Sequence, residues 1–413
     1  MALDNIFMGK RVVQQAYLNN ALLYQANGWK GNPEDYSETT LPSFSPNLDT
    51  FSSFDNLTYL EDDTLLLQFG SNSGYKYLVK LSLTGEVIWQ TLNIQHTSYI
   101  RRELTPYLRG YKKGEKGSGI LYVVTTRSTK YPDSSTTGND FFIDSYNNAT
   151  GALVSSFRLS TISGYDNTNM SLADVCFDEN YIYMLFSSYY GTTYISKFTY
   201  DNREIVHLYK IDSGYGSSMA LDASGKYLYL NVTSYSKLYK VDKTTFAIID
   251  SFQPVGNDTN DNTYTDKYII DSMNNLYFYA TRQHSSSYNA QTFLKYSLTN
   301  KKLVYKYKLK SPSTSFIPYV IDAKVDKYYN AILYCVGSVP VGNGGWGYYI
   351  IKLDPNGNML WAKVYDGSLG DGTGGITVTN QGTIYYCCYA LATRTFNFSK
   401  ILGLKKLTNS AIV

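Results

Sequence analysis

The chain has 413 residues, 43% of them hydrophobic, which is enough for one large domain or two ordinary ones with a real core. Its 37 basic and 34 acidic residues leave a formal charge of +3, so a sequence-wide electrostatic preference for nucleic acid is excluded. Four cysteines are too few for a disulfide framework at this length, and no run approaches the roughly 18 apolar residues of a membrane-spanning helix.

In chain order, the first segment stands apart. Its start, MALDNIFMGKRVVQQ, lacks the basic stretch and long apolar run of a secretory leader, so cytoplasmic synthesis without the usual secretion route is expected. Residues 7–26 then hold a ten-residue tandem, FMGKRVVQQA followed by YLNNALLYQA. Each copy reads as a short strand, a Gly-Lys or Asn-Asn turn and a second strand, with Phe7, Met8, Val12, Tyr17, Leu18, Leu22 and Tyr24 as its apolar contacts. Hairpins this small bury little surface alone, so the pair must pack on a neighbour, another subunit or a larger assembly. Residues 27–50, with Pro33, Pro42 and Pro46, suit a linker. The expected organisation is therefore residues 1–44 as an attachment segment and linker, and residues 45–413 as the main domain.

From about residue 51 a β-rich block recurs. Its clearest copies end in Tyr77-Leu78-Val79-Lys80-Leu81, Tyr194-Ile195-Ser196-Lys197-Phe198, Lys237-Leu238-Tyr239-Lys240-Val241, Phe293-Leu294-Lys295-Tyr296 and Tyr349-Ile350-Ile351-Lys352-Leu353. The lysines at 197, 240, 295, 352 and 400 are 43, 55, 57 and 48 residues apart. Strand repeats of that period predict an all-β fold, a seven-bladed β-propeller, over 51–95, 119–160, 171–212, 218–252, 265–310, 317–366 and 373–413. The last blade lacks a clear outer strand. Either 408–413 supplies it or a strand from 40–50 closes the ring, which would leave few exposed edges.

Chemistry is sparse along these blades. His96, His207 and His284 are isolated, and no linear catalytic or metal-binding pattern occurs, so no catalytic residue, cofactor or metal is assigned. The alternation Asp258, Asn260, Asn262 opens like a calcium loop, but Thr263 stands where the turn glycine belongs and Ile269 where the bidentate Glu belongs. Residues 366–375 carry two carboxylates on glycine-rich backbone and make a weak metal site. The cysteines, including the adjacent Cys387 and Cys388 on opposite faces of a strand, read as buried thiols. Binding signals are stronger. Tyrosine is abundant, 43 copies against 18 Phe and 4 Trp, and it gathers in Ser- and Gly-rich loops around Tyr189, Tyr190, Tyr215, Trp346 and Tyr348. Rigid aromatic area with adaptable hydrogen bonding is the composition of a binding loop, and exposed aromatics stack on sugar rings. Residues 101–116 bring Arg101, Arg102, Lys112 and Lys113 into one basic stretch, either a grip on an anionic polymer or a solvated insertion.

Two resemblances add to this reading. Gly85-Glu86-Val87-Ile88-Trp89 and Gly357-Asn358-Met359-Leu360-Trp361 resemble the repeat of quinoprotein propellers, which supports the fold. The tryptophan stands at this point in only two blades and the quinone-binding residues have no match, so the cofactor is not implied. The N-terminal FMGKRVVQQAYLNNALLYQ resembles paired hairpins near the termini of tailed-bacteriophage structural proteins, with Asn19 in place of the usual Gly. That resemblance implies a virion protein, of the tail, baseplate or fibre, attached to other virion proteins through residues 1–44. Its propeller would face a host-surface glycan or virion neighbours, as a homo-oligomer in the particle, with no enzymatic activity, nucleic-acid partner or membrane span. A purely structural capsid or collar decoration protein and a polysaccharide-acting propeller enzyme are the alternatives.

Overall fold

The computed structural model describes residues 36–41, 51–71, 76–93, 102–103, 106–130, 137–159, 170–188, 191–200, 205–213, 216–232, 237–254, 267–279, 292–309, 319–338, 346–365, 374–390 and 401–409. These residues form strands joined by turns, with no α-helix among them. Six sheets are antiparallel meanders of consecutive strands, the blade of a β-propeller. The first holds β2 (Phe51–Leu60), β3 (Thr64–Ser71), β4 (Lys76–Ser82) and β5 (Val87–Asn93). The second holds β6 (Arg102–Glu103), β7 (Tyr107–Arg109), β8 (Ile120–Lys130), β9 (Thr137–Asn147) and β10 (Leu153–Arg158), with β6 and β7 both pairing β8. Next come β11 (Met170–Phe177), β12 (Tyr181–Ser188), β13 (Thr192–Thr199) and β14 (Ile205–Ser213), then β15 (Gly216–Leu221), β16 (Tyr227–Val232), β17 (Lys237–Asp242) and β18 (Ile248–Phe252). The last two are β19 (Lys267–Ile270), β20 (Asn275–Tyr279), β21 (Thr292–Ser297) and β22 (Lys302–Lys308), and β23 (Tyr319–Val325), β24 (Ala331–Ser338), β25 (Trp346–Leu353) and β26 (Met359–Tyr365).

Seven blades were expected, the last without a clear outer strand, and six are found. The remaining sheet is composite: β27 (Gly374–Val378), β28 (Ile384–Ala390) and β29 (Ile401–Asn409) are joined by β1 (Tyr36–Thr40), in the order β1-β29-β28-β27. β1 lies inside the stretch expected to be linker, a few residues before the 40–50 segment considered for closure. It pairs Tyr36 with Asn409 through Thr40 with Lys405. The strand was hidden because Tyr-Ser-Glu-Thr-Thr has no apolar alternation; its β-branched threonines pair along the backbone of β29.

The chain divides into two compact units, residues 47–275 and residues 1–46 with 276–413. In each, the apolar core lies between neighbouring sheets. In the first unit, Val124, Phe141 and Ile143 pack against Met184 and Phe186, while Tyr183, Leu185 and Ile195 pack against Leu228 and Leu230. In the second, Ile332, Tyr334 and Ile350 meet Ile376 and Tyr386. A middle strand is thus covered on both faces, so β12 and β20 read as unbroken apolar runs, buried almost end to end. The fourth strands β10 and β18 are mostly exposed.

The repeated lysine has a structural meaning. In five blades the pairing of third and fourth strands shifts register beside it, at Lys80/Leu81, Lys197/Phe198, Lys240/Val241, Lys295/Tyr296 and Lys352/Leu353. The extra residue falls in the fourth strand, at Ile88, Val206, Ile249, Val304 and Leu360, the signature of a β-bulge. The lysines themselves turn inward: Lys80, Lys197, Lys295 and Lys352 are buried. Lys80 and Lys352 each pair with a carboxylate in the turn between first and second strands, Asp62 at 2.6 Å and Asp326 at 2.9 Å. Lys197 lies over the Tyr181 ring at 3.9 Å, and Lys295 donates to the Pro355 carbonyl at 3.0 Å.

Candidate binding edge

An antiparallel meander sends its connections to two opposite edges. The first-to-second and third-to-fourth turns lie at one edge; the second-to-third turns and the passages to the next blade lie at the other. The two edges differ. At the first, short turns are closed by their own acidic side chains. Asp222 accepts from the amides of Lys226 and Tyr227, Asp271 from those of Met273 and Asn275, and Asp326 from those of Tyr328 and Asn330. These are Asx turns, in which a carboxylate replaces a backbone acceptor. At the second edge many connections are longer, such as 94–101, 159–169 and 253–266 in the first unit, and 280–291, 309–318, 366–373 and 391–400 in the second, although 189–191 and 214–215 are short. Ser, Thr, Asn, Gly and Tyr dominate them.

Two connections meet at this second edge within the first unit. Ser187, two residues before Tyr189, donates from its hydroxyl to the Gly216 carbonyl at 2.9 Å, and Gly216 directly follows Tyr215. The turn over Tyr189 and Tyr190 is closed by the Gly191 amide donating to the Ser188 carbonyl at 3.1 Å and the Thr192 amide to the Ser188 hydroxyl at 3.0 Å. Gly216 is required by close approach, because a Cβ there would stand 2.9 Å from Thr193 Cγ2 and 3.0 Å from Leu185 Cγ. Beneath it, Asn231 donates to the Ser217 hydroxyl at 2.8 Å. Deeper still, one carboxylate oxygen of Asp174 accepts from the Ser218 hydroxyl and the Met219 amide, at 3.0 and 2.8 Å. Ser218 in turn accepts from the Tyr268 amide at 2.8 Å. Three successive inner strands, β11, β15 and β19, are thereby laced together directly under the loops. Bulges at Ala173 and Ser217 interrupt the pairing of β11 and β15 with their neighbours at this point.

The residues expected to bind divide between the edges. Tyr189, Tyr190 and Tyr215 lie outside the described residues; the residues that flank them, Ser188, Gly191 and Gly216, are at the second edge, on adjoining blades. Arg102 opens β6 at that same edge, next to Arg101, which lies outside the described residues; the Arg102 side chain does too. Lys112 and Lys113 are exposed at the first edge, beyond the far end of the inner strand. The basic stretch 101–116 is therefore not one patch. β6 and β7 run between its two halves, and a strand rises about 3.3 Å per residue. In the other unit, Trp346 and Tyr348 open β25, paired with Ser338 and Val336, at the second edge of their own sheet; their side chains lie outside the described residues. Phe7, Met8, Val12, Tyr17, Leu18, Leu22 and Tyr24, the possible calcium loop at 257–262, His96 and His284 also fall outside them. Among the described residues, no group of three or more His, Cys, Asp and Glu is placed to hold a metal.

Sequence reading missed the partners of the lysines, and missed that Ser187 and Gly216 join two loops. The lysine signal was present as an Asp in the first turn of the same blade, 18 residues before Lys80 and 26 before Lys352. Nothing in the sequence marks the Ser187 contact, which depends on two blades facing each other.

No protein-family model matches the chain, and no curated protein matches it. Solved structures do. The propeller of Dos1 is similar with a TM-score of 0.51 and 11% identity, over 86% of this chain and 77% of that one. A likeness at that identity shows the fold alone: a β-propeller.

Proposed function

We propose that the protein is a structural component of a bacteriophage virion, a β-propeller whose second edge binds a host-surface glycan or a neighbouring virion protein. The observation that carries this reading is the joining of the Tyr189–Tyr190 and Tyr215 connections through Ser187 and Gly216. A bonded, buried base beneath paired tyrosine loops lowers the ordering cost that a binding surface must otherwise meet. The N-terminal tandem, which resembles virion attachment hairpins, supports placement in the particle.

Immunogold labelling of particles with antibody to residues 45–413 tests the placement; absence of label from every particle would refute it. Binding of the purified chain to host cells tests the edge, with Tyr189→Ala/Tyr190→Ala expected to weaken it about tenfold, since stacked aromatic anchors are often worth more than 1 kcal/mol apiece. Binding unaffected by that change removes the second edge from the reading.

A further inference from the structure

The connection between β7 and β8 is unlike every other described turn at the first edge. Gly110-Tyr111-Lys112-Lys113-Gly114-Glu115-Lys116-Gly117-Ser118-Gly119 spans a place where other blades use a short Asx turn. Its backbone forms two type II turns in tandem. The Glu115 amide donates to the Lys112 carbonyl at 2.9 Å and the Ser118 amide to the Glu115 carbonyl at 3.0 Å, with Gly114 at φ +90° and Gly117 at φ +82°. Lys113 and Lys116 take the same position in their respective turns.

The loop is braced from below. Ser118 accepts the Lys112 amide on its hydroxyl at 2.9 Å, and its carbonyl accepts from the Asn148 side chain at 2.8 Å. Asn148 belongs to the buried Lys80–Asp62 network. Gly117 lies so close to Ala149 that a Cβ would approach the Ala149 Cβ to 2.9 Å. Arg109, at the root of the loop, is held over Tyr200 at 4.3 Å and donates to the Glu179 carbonyl at 2.9 Å, so it is a support and not a presented charge. What the loop presents outward is Lys112, Lys113, Glu115 and Lys116. Among the described residues, only Lys112 of these lysines has a carboxylate within ion-pair distance, Glu115 at 3.8 Å.

We propose that this loop is a second binding site, at the edge opposite the tyrosine loops, for a linear anionic polymer carrying phosphate or carboxylate groups. The site stands independently of the proposed role for the tyrosine edge. Rigid backbone means that little order is lost on binding. Lysine is a compact point charge suited to single anionic groups. The loop offers no exposed aromatic or aliphatic anchor, which a protein partner's hot spot would require.

The test uses the full chain over immobilised poly(glycerol phosphate) and, separately, polygalacturonate, across a salt series. Wild type should be retained on at least one polymer and released by salt; the polymer that holds it names the anion. Lys113→Gln/Lys116→Gln should bind about fivefold more weakly, on the scale of two exposed ion pairs. Lys302→Gln/Lys327→Gln, which removes the same charge from exposed positions elsewhere, should bind as wild type. Unchanged circular dichroism and melting in both variants exclude misfolding. Equal weakening by the two variants, retention of wild type on neither polymer, or retention on duplex DNA alone would each overturn the proposal.

Discussion

Lys80 shows how the fold uses charge. Its ammonium, almost wholly buried, donates to Asp62 at 2.6 Å and to the Asn148 side chain at 2.5 Å, and Asp62 also accepts from Thr64 at 2.5 Å. Trp89 completes the joint by donating from its indole to the Asn148 carbonyl at 2.9 Å, while its ring leaves no room for a Cβ at Gly151. Removing one member strands the rest without water. Lys80→Ala should therefore cost about 3–5 kcal/mol in denaturant unfolding, as for other broken buried pairs. Lys240→Ala, where the ammonium lies 3.9 Å over the Tyr227 ring and is only half-buried, should cost about 1 kcal/mol. The pair also sets a pH dependence. Burial alone would push the Asp62 carboxyl up, but hydrogen bonds from Lys80, Thr64 and Asn148 outweigh it and hold it below the usual carboxylate range. A carboxyl lowered by folding contributes stability that is complete above its unfolded value of about 3.9 and disappears as pH falls through the folded value. Urea midpoints measured downward from about pH 5 should accordingly drop more steeply for the natural chain than for Asp62→Asn.

Among the elements, the fourth strands face the recurring danger of an open edge. Each of five such strands carries a bulge whose extra residue is Ile88, Val206, Ile249, Val304 or Leu360. A bulge twists an edge out of register with any second strand, which offsets the exposure of Ile88, Ile249 and Val304. β29 is protected differently, by β1. A chain lacking residues 1–30 should therefore remain soluble and melt as the whole chain does. Removal through residue 41 takes β1 away, bares the β29 backbone and should bring concentration-dependent aggregation, visible by light scattering. Equal behaviour of the two truncations would mean that β1 contributes nothing. How much of this the sequence disclosed follows from locality. The Lys-apolar dyad announced the blades because the bulge beside it recurs within each blade and depends only on neighbouring strands. β1 went unread because its partner is some 370 residues away, and a strand recruited by backbone pairing need not carry an apolar pattern. The binding residues were half legible for a similar reason. Composition picked out Tyr189 and Tyr215, but only topology shows that their connections meet and that Arg102 and Lys112 do not.

At the scale of the whole molecule, a division of labour between edges explains why one set of connections can vary while the other holds each blade. In a first-edge turn such as 326–330, Asp326 accepts from two amides and the Asn330 side chain and also pairs with Lys352, so the turn is part of the packed blade. Inserting ten flexible residues there should cost about 3 kcal/mol, roughly 1 kcal/mol for each hydrogen bond lost. The same insertion within 280–291 lengthens a connection that is already long. Closure entropy grows only with the logarithm of length, so the cost there should stay below about 1 kcal/mol. Denaturant midpoints of the two insertion variants, measured against the natural chain, decide the matter. A blade whose two edges tolerate insertion equally would have no privileged display edge.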